Sequence, residues 1–379
     1  MADDWVGGVP QVAEYWTGSV KDSPVVNIKN EQVEMNRQPI WNILAEIKGV
    51  DHLEEKVIIG AHRDAWCFGA GDPNSSTAIM LEMARVFGKM MEFGWRPQRT
   101  IVFASWDAKE YNLIGSTEFV EHAGESLRDD VIAYINLDAA VTGHDFRAAG
   151  SPALGYALSR ALSRVHAPNS HALLNATWDP LHMPGLGGGG DWVAFQHHAG
   201  VSSIDLSFTG HIVPAHSCND NFAYLKSRVD PGFTTHEALG RVVILLLLEL
   251  ADHSIIPLDM AAYAHALERY TDELAGWVAG KGGKGKVDIG PLRRAMTVVQ
   301  RNIGKFSQMN EGWMAKDKEG MYVQTDEWAV SERRSRSIRM GNFDKHLVDM
   351  SFGGGTPGRR WFRHLVMGPQ VWIFFPPFS

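Results

Sequence analysis

Short, continuous apolar runs that end in a polar residue recur along the N-terminal part of this sequence. Residues 56–60, 100–104 and 131–135 are runs of this kind, and they are rich in β-branched side chains. Such runs are typical of strands that are buried on both faces of a parallel sheet. Three further strands are predicted, at residues 25–29, 39–48 and 201–206.

Helical periodicity separates these strands. After Pro73, residues 74–76 offer N-caps, and apolar residues then recur at helical spacing through residues 79–90. Further helices are predicted at residues 116–122 and 152–166. The alternation predicts an α/β sandwich with a mixed, mostly parallel sheet. In such sheets, ligands bind outside the carboxyl ends of the strands.

The pattern changes near residue 252, beyond which strand signals are scarce. Helices are predicted at residues 261–279 and 291–306, and the Lys-Gly segment at residues 281–286 is predicted to be a solvated loop. The sequence therefore predicts a leading segment at residues 1–24, an α/β domain at residues 25–255 and a helical domain at residues 256–379.

Composition excludes several classes of protein. The chain of 379 residues allows two or three domains of ordinary globular composition. A net charge of -8 without a basic stripe argues against a nucleic-acid partner. The longest apolar run, residues 242–248, is far shorter than the roughly 20 residues of a membrane span and predicts a buried helix. No signal peptide is recognisable at the N-terminus, so any secretory or membrane signal is expected outside this chain.

Histidine and acidic residues follow the predicted strands. His62, Asp72, Glu110 and Asp138 stand near successive strand ends, and His216 follows later in the chain. Imidazole nitrogen and carboxylate oxygen are the ligands of a two-zinc site with a bridging carboxylate. Each residue alone has an ordinary explanation as a helix cap, a turn former or a surface histidine. Spacing alone leaves both explanations open.

Several short strings carry a family resemblance. They are His-Arg-Asp-Ala-Trp at residues 62–66, Gly-Asp-Pro at 71–73, Phe-Ala-Ser-Trp-Asp at 103–107, Gly-Ser-Thr-Glu at 115–118, Tyr-Ile-Asn-Leu-Asp at 134–138 and Ala-His-Ser at 215–217. In this order they resemble the co-catalytic zinc exopeptidases of the glutamate carboxypeptidase II and transferrin receptor branch. Residues 355–362 resemble that branch's dimerisation domain.

The resemblance implies a fold, a metal content and partners. The fold would be an α/β/α sandwich zinc-peptidase domain followed by a helical dimerisation domain. The cofactors would be two zinc ions, the substrate a small peptide and the assembly a homodimer. Full-length relatives would follow a membrane-anchored, secretory or vacuolar route, and the family's protease-associated insert would precede this chain.

The resemblance also assigns a role to each candidate ligand. His62 and Asp138 would bind one zinc ion, Glu110 and His216 would bind the other, and Asp72 would bridge the two.

Two neighbouring positions bear on catalysis. Asp64 would orient and polarise the His62 imidazole. In active members a glutamate directly before the zinc-binding Glu110 takes a proton from the metal-bridged water and returns it to the leaving amine, but Lys109 stands at this general-base position. A lysine with an ordinary pKa of about 10.4 arrives protonated, although two nearby zinc ions would lower its pKa. We therefore expect metal binding with impaired hydrolysis.

Other segments depart from the family. Residues 186–191 resemble its Gly-Ser-Gly-Asn-Asp loop with Gly190 in place of Asn, which makes Gly190 and Asp191 candidate substrate-binding residues. Residues 203–207 replace an arginine pair of glutamate carboxypeptidase II, so a preference for acidic residues on the amino side of the scissile bond is not supported. The tail at residues 371–379 lacks the family's Lys-Tyr pair, which indicates an incomplete pocket.

The cysteines Cys67 and Cys218 lie close in sequence to two candidate ligands, His62 and His216. Two cysteines exclude a disulfide framework and leave the redox compartment undecided. Since zinc has a ligand set without them, we expect small buried residues that pack near the site rather than thiolate ligands.

Three hypotheses of function follow. The first is a zinc metallo-exopeptidase that hydrolyses small peptides with a two-zinc-activated water and is impaired by Lys109. The second is an inactive receptor-like or scaffold homologue, a pseudoenzyme that retains metal binding. The third treats the carboxylates as helix caps and the resemblance as architectural. The complete ligand set favours the first, whereas Lys109 and Gly190 favour the second.

Overall fold

The computed structural model describes residues 4–5, 15–16, 27, 29–179, 182–210, 213–281, 287–318 and 327–369. The chain forms two compact units, Met1–Pro39 and Ile40–Ser379. In the first unit, strands β1 (Asp4–Trp5) and β2 (Tyr15–Trp16) pair antiparallel. Most of the strand predicted at residues 25–29, most of the Lys-Gly loop and the tail at residues 371–379 lie outside the described residues. The division at residues 24 and 255 stays a prediction.

The second unit is built on a six-stranded sheet with the order β3-β5-β4-β6-β8-β7. Strands β5, β4, β6 and β8 run parallel, and the edge strands β3 and β7 are antiparallel to their neighbours. This confirms the predicted mixed, mostly parallel sheet. The strands are β3 (Ile43–Ile47), β4 (His52–His62), β5 (Arg99–Trp106), β6 (Val131–Leu137), β7 (Gly143–Gly150) and β8 (Ser202–Gly210).

Helices cover the sheet and continue beyond it. They are α1 (Asn74–Glu92), α2 (Ile114–Asp130), α3 (Gly155–Leu162), α4 (Phe222–Tyr224), α5 (Thr234–Ala251), α6 (Met260–Gly280), α7 (Gly290–Lys318) and α8 (Glu327–Gly341). The helix predicted at residues 152–166 is a 3₁₀ turn, Pro152–Leu154, followed by α3. No helix among these described residues has the length and apolar character that a membrane crossing requires.

Strand β4 is buried on both faces because its side chains alternate between two cores. Val57, Ile59 and Ala61 belong to a large core that includes residues of α1, α3 and α5. Ile58 belongs to a smaller core with residues of α2 and of the π-helix Val193–Ala199. The continuous apolar run of β4 follows from this double burial.

The chain reverses its direction of winding around β4. Helix α1 connects β4 to β5 on the side of the large core, and α2 connects β5 to β6 on the side of the smaller core. Strands β5 and β6 therefore flank β4, and their connections leave toward opposite faces. Such a switch point opens a crevice at the carboxyl ends of the strands. His62, the last residue of β4, lies in this crevice.

A buried carboxylate joins the sheet to the helical part of the chain. Asp344 is 0% exposed, and its Oδ2 accepts hydrogen bonds from the Ser151 and Ser202 hydroxyls, each at 2.6 Å. Its Oδ1 accepts from the Tyr263 hydroxyl and lies 3.4 Å from His364 Nε2. These contacts connect β8, α6 and the C-terminal segment through one side chain.

Candidate metal centre

The side chains predicted as metal ligands converge at the carboxyl end of β4. His62 closes β4, and Asp138 directly follows β6. Asp72 lies two residues before α1, and Glu110 lies in the loop between β5 and α2. His216 comes from the loop after β8. Loops at the ends of four strands therefore supply the cluster.

The cluster consists of two groups that share Asp72. His62 Nε2 lies 3.0 Å from Asp138 Oδ1 and 3.2 Å from Asp72 Oδ1. His216 Nε2 lies 3.3 Å from Glu110 Oε1 and 3.5 Å from Asp72 Oδ2. Within each group the ligand atoms all lie within 4.8 Å of one another. The two oxygens of Asp72 face different groups, which is the arrangement that a bridging carboxylate requires.

Two buried oxygens in this cluster have no hydrogen-bond donor among the described residues. They are Asp72 Oδ1 and Glu110 Oε1, whose side chains are 8% and 7% exposed. The neighbouring imidazoles are close, but they are not aligned as hydrogen-bond donors to these atoms. Buried unsatisfied carboxylate oxygens are costly, and a cation would satisfy them. The mixture of imidazole nitrogen and carboxylate oxygen fits zinc.

The electrostatics of the cluster favour positive charge at its centre. Burial alone would lower the pKa of His62, but the carboxylates of Asp138, Asp64 and Asp72 outweigh burial and raise that pKa to about 11. A divalent cation supplies the same positive charge without a proton.

Asp64 connects the loop after β4 to the loop after β5 through hydrogen bonds. Its carboxylate accepts hydrogen bonds from the backbone N–H groups of Lys109 and Glu110, both at 3.0 Å. His62 Nδ1 lies 3.1 Å from the Asp64 carbonyl oxygen and 3.6 Å from the carboxylate. Asp64 is thus placed to orient the imidazole, and the shorter contact is made by its backbone. Its catalytic role stays a prediction.

Lys109 points its ammonium group into the cluster. The Nζ atom lies 3.1 Å from Asp138 Oδ1 and 3.9 Å from Glu110 Oε1, and the side chain is 10% exposed. Burial alone would lower the pKa of Lys109, but the carboxylates of Asp138, Asp72 and Glu110 outweigh burial and raise it. The group at the general-base position therefore forms an ion pair with Asp138 in this structure.

Asp220 positions the bridging residue, and the sequence offered no motif for it. It is 1% exposed, and its carboxylate accepts hydrogen bonds from the N–H groups of Gly71 at 2.7 Å and Asp72 at 3.1 Å. A Cβ atom at Gly71 would lie 2.9 Å from Val213, so the close approach of the Gly71 backbone to Val213 requires glycine. The available signal was an acidic residue four positions after His216.

The prediction that Cys67 and Cys218 are small buried residues was wrong. Cys67 and Cys218 are exposed and form a disulfide with a Cα–Cα distance of 5.1 Å. The loop after β4 and the loop that carries His216 end at the same edge of the sheet, which brings together residues separated by 151 positions. The disulfide links the loop that carries Asp72 to the loop that carries His216.

We expect loss of this disulfide to lower the free energy of unfolding by about 2–4 kcal/mol, since it closes a long loop of the unfolded chain. Urea unfolding of the Cys67→Ser/Cys218→Ser variant measures the loss. Dithiothreitol should produce the same loss in the wild-type protein and none in the variant. Equal stability of all samples would contradict the prediction.

The predicted substrate loop, residues 186–191, is buried at Leu186, Gly190 and Asp191. Asp191 is 1% exposed and accepts a hydrogen bond from the Ser116 hydroxyl at 2.5 Å, and burial raises its pKa to about 7. At Gly190, a Cβ atom would lie 2.1 Å from the Trp192 ring. A substrate-binding role for these two residues stays a prediction.

Two parts of the sequence match known families. Residues 42–233 match Peptidase family M28, and residues 287–377 match the Transferrin receptor-like dimerisation domain. The first match contains all the candidate ligands, and the second lies in the helical part of the chain. Both agree with the resemblance drawn from the sequence strings.

Individual relatives agree with these matches. A probable glutamate carboxypeptidase of Arabidopsis thaliana, AMP1, is 34% identical over 90% of this chain and 47% of its own length. The aminopeptidase NAALADL1 of Mus musculus is 36% identical over 87% of this chain and 46% of its own length. The inactive zinc metalloprotease C354.09c of Schizosaccharomyces pombe is 27% identical over 96% of this chain and 45% of its own length. The chain thus spans about half the length of these curated relatives.

Proposed function

Since the chain belongs to peptidase family M28, we propose that it is a zinc metallo-exopeptidase of the glutamate carboxypeptidase-like type, with turnover of small peptides impaired by Lys109. The observation that carries this proposal is the shared carboxylate of Asp72, with one oxygen toward His62 and the other toward His216. Helix caps would have no reason to converge with two histidines around buried oxygens that lack hydrogen-bond donors in the described part of the chain.

In this proposal, His62 and Asp138 would hold one zinc ion, Glu110 and His216 would hold the other, and Asp72 would contribute a carboxylate to both. When bound, zinc supplies Lewis-acid activation of water and of the scissile carbonyl. Asp64 orients the His62 imidazole through its carbonyl oxygen.

Lys109 limits the reaction because it occupies the position from which a base would take the proton of the attacking water. An ammonium group has three N–H donors and no lone pair, so it accepts no proton. It also holds a positive charge next to Asp138, where an active relative would have a carboxylate. We therefore expect this chain to bind metal but to lack the group that accepts the proton.

The second candidate function is a homologue that binds zinc and has no turnover. Lys109 favours it, and the relative from Schizosaccharomyces pombe carries the name of an inactive zinc metalloprotease. The two candidates share the metal centre and differ in whether any peptide is cleaved.

We also propose assembly and location from two features. The match at residues 287–377 supports a homodimer, which size-exclusion chromatography with light scattering would measure. The Cys67–Cys218 disulfide supports an oxidising compartment, as expected for the secretory or vacuolar route.

Zinc titration tests the metal centre. We expect the wild-type protein to bind two zinc ions per chain and the His216→Gln variant to bind one, measured by elemental analysis after dialysis. His182→Gln is the matched control, because this exposed histidine pairs with Asp179 instead of facing the cluster. Retention of two ions by His216→Gln would contradict the assignment.

A further inference from the structure

We propose that the two halves of the metal centre bind zinc with unequal affinity because the Lys109 ammonium occupies one of them. The half formed by Asp72, Glu110 and His216, here called the His216 half-site, would fill first. The half formed by His62, Asp72 and Asp138, the His62 half-site, would bind its ion more weakly. This inference rests on the proposed function and adds to it the order in which the two half-sites bind zinc.

The contacts of Lys109 are unequal between the half-sites. Its Nζ atom is 3.1 Å from Asp138 Oδ1, an ion-pair distance, and 3.9 Å from Glu110 Oε1. The same Asp138 oxygen is also 3.0 Å from His62 Nε2. One ligand atom of the His62 half-site is therefore already paired with the Lys109 ammonium, which zinc must displace, whereas His62 is itself a ligand and remains in place.

The His216 half-site is more exposed, and its own carboxylate lies farther from the Lys109 ammonium. Glu110 Oε1 is buried and has no hydrogen-bond donor among the described residues, although His216 Nε2 lies 3.3 Å away. The His216 side chain is 55% exposed, whereas the His62 side chain is 0% exposed. A zinc ion can thus approach the His216 half-site from solvent without having to displace an ion pair as short as the one between Lys109 and Asp138.

Lys109 has limited freedom to move away. Its backbone N–H donates to the Asp64 carboxylate at 3.0 Å, and its side chain is 10% exposed. Withdrawal of the ammonium from Asp138 would leave that carboxylate with one partner fewer and would not return the whole side chain to water. The Lys109 side chain therefore stays close to the His62 half-site.

The size of the effect follows from the electrostatics of a partly buried pair. A unit charge at ion-pair distance from the ligand repels a divalent cation, and partial exposure and rearrangement of the lysine reduce that repulsion. We expect the two zinc affinities to differ by about 10- to 100-fold.

Competitive zinc titration against a chromophoric chelator, at one fixed pH, tests the inference in the full chain. The variants are Lys109→Met, which removes the charge and keeps an unbranched side chain one atom shorter, and Lys89→Met, which removes an exposed charge on α1. His62→Gln and His216→Gln assign each binding step to its half-site. Thermal unfolding verifies that each variant folds.

The expected result has three parts. The wild-type protein binds its second ion about 10- to 100-fold more weakly than its first, and His62→Gln abolishes that weak step. Lys109→Met strengthens the weak step by the same factor and leaves the strong one within about threefold. Lys89→Met changes neither step.

Two results would overturn the inference, and they differ in what they say about the proposed function. Two steps of equal affinity in both the wild-type protein and Lys109→Met would refute the order of filling and leave the two-zinc centre standing. Absence of zinc binding in every folded variant would refute both.

Discussion

Replacement of Lys109 with glutamate is expected to raise peptide turnover by about 10²- to 10⁴-fold, the usual contribution of a positioned general base. The Lys109 backbone N–H is held by Asp64, so the substituted side chain starts from a fixed point beside Glu110. A carboxylate at this place can accept a proton from the attacking water, which the ammonium cannot. The chain retains the rest of the predicted constellation.

The measurement is hydrolysis of a panel of dipeptides and aminoacyl anilides by this chain, with zinc content determined in the same samples. Lys109→Gln is the matched control, because it removes the charge without adding a base. Lys109→Glu would also add a carboxylate beside Asp138 and strengthen zinc binding, so kcat must be compared at full zinc occupancy. Equal turnover of the wild-type protein and Lys109→Glu at that occupancy would contradict the role of this position.

The central part of the fold was predictable because its strands are buried on both faces. Strands β4, β5 and β6 appear in the sequence as continuous apolar runs, and the structure confirms each of them. A parallel sheet brings the ends of such runs to one edge. That rule was sufficient to predict that His62 and Asp138 would lie together.

Edge and helical elements were less predictable. Strand β7 (Gly143–Gly150) was not predicted, because it is an antiparallel edge strand with exposed polar residues and glycine at both ends. Helix α7 begins at Gly290 as expected but extends well beyond residue 306, to Lys318. Local periodicity carries little information where a helix contributes only a narrow apolar face.

Contacts between distant loops could not be predicted from local patterns. The Cys67–Cys218 disulfide spans 151 positions, and nothing near either cysteine indicates its partner. The Asp220 carboxylate accepts hydrogen bonds from the backbone N–H groups of Gly71 and Asp72. Contacts to backbone atoms produce no recognisable pattern of side chains in the sequence. The family resemblance supplied roles for ligands but not for these supporting contacts.

The Asp344→Ala variant is expected to lose about 3–5 kcal/mol of unfolding free energy, because hydrogen bonds to a buried charged group contribute about 1.5–3 kcal/mol each and are not fully additive. The substitution removes the shared acceptor of the Ser151, Ser202 and Tyr263 hydroxyls. His364 loses its acceptor as well. Its Nδ1 accepts backbone N–H groups at 3.2 and 3.1 Å, so Nε2 carries the proton that faces Asp344.

Urea unfolding at neutral pH measures this loss. Asp344→Asn should lose less, because its amide oxygen can still accept hydrogen bonds and the serine hydroxyls can rotate to accept from its amide nitrogen. Asp51→Ala is the control for an exposed carboxylate and should change stability by less than about 0.5 kcal/mol. Equal stabilities of the two Asp344 variants and the wild-type protein would show that the network does not join the sheet to the helical part.

The contribution of Asp344 should also depend on pH. Burial alone would raise the pKa of Asp344, but the hydrogen bonds that it accepts from His364 and from the Ser151 and Ser202 hydroxyls outweigh burial and lower it. A carboxylate with a lowered pKa in the folded state stabilises the protein above its unfolded pKa of about 3.9, and loses that contribution as the pH falls through the folded value. The stability difference between wild-type protein and Asp344→Ala should therefore be constant above about pH 5 and shrink at lower pH. A difference that persists unchanged to the lowest pH at which the protein stays folded would mean that Asp344 stabilises the fold through its shape and not through its charge.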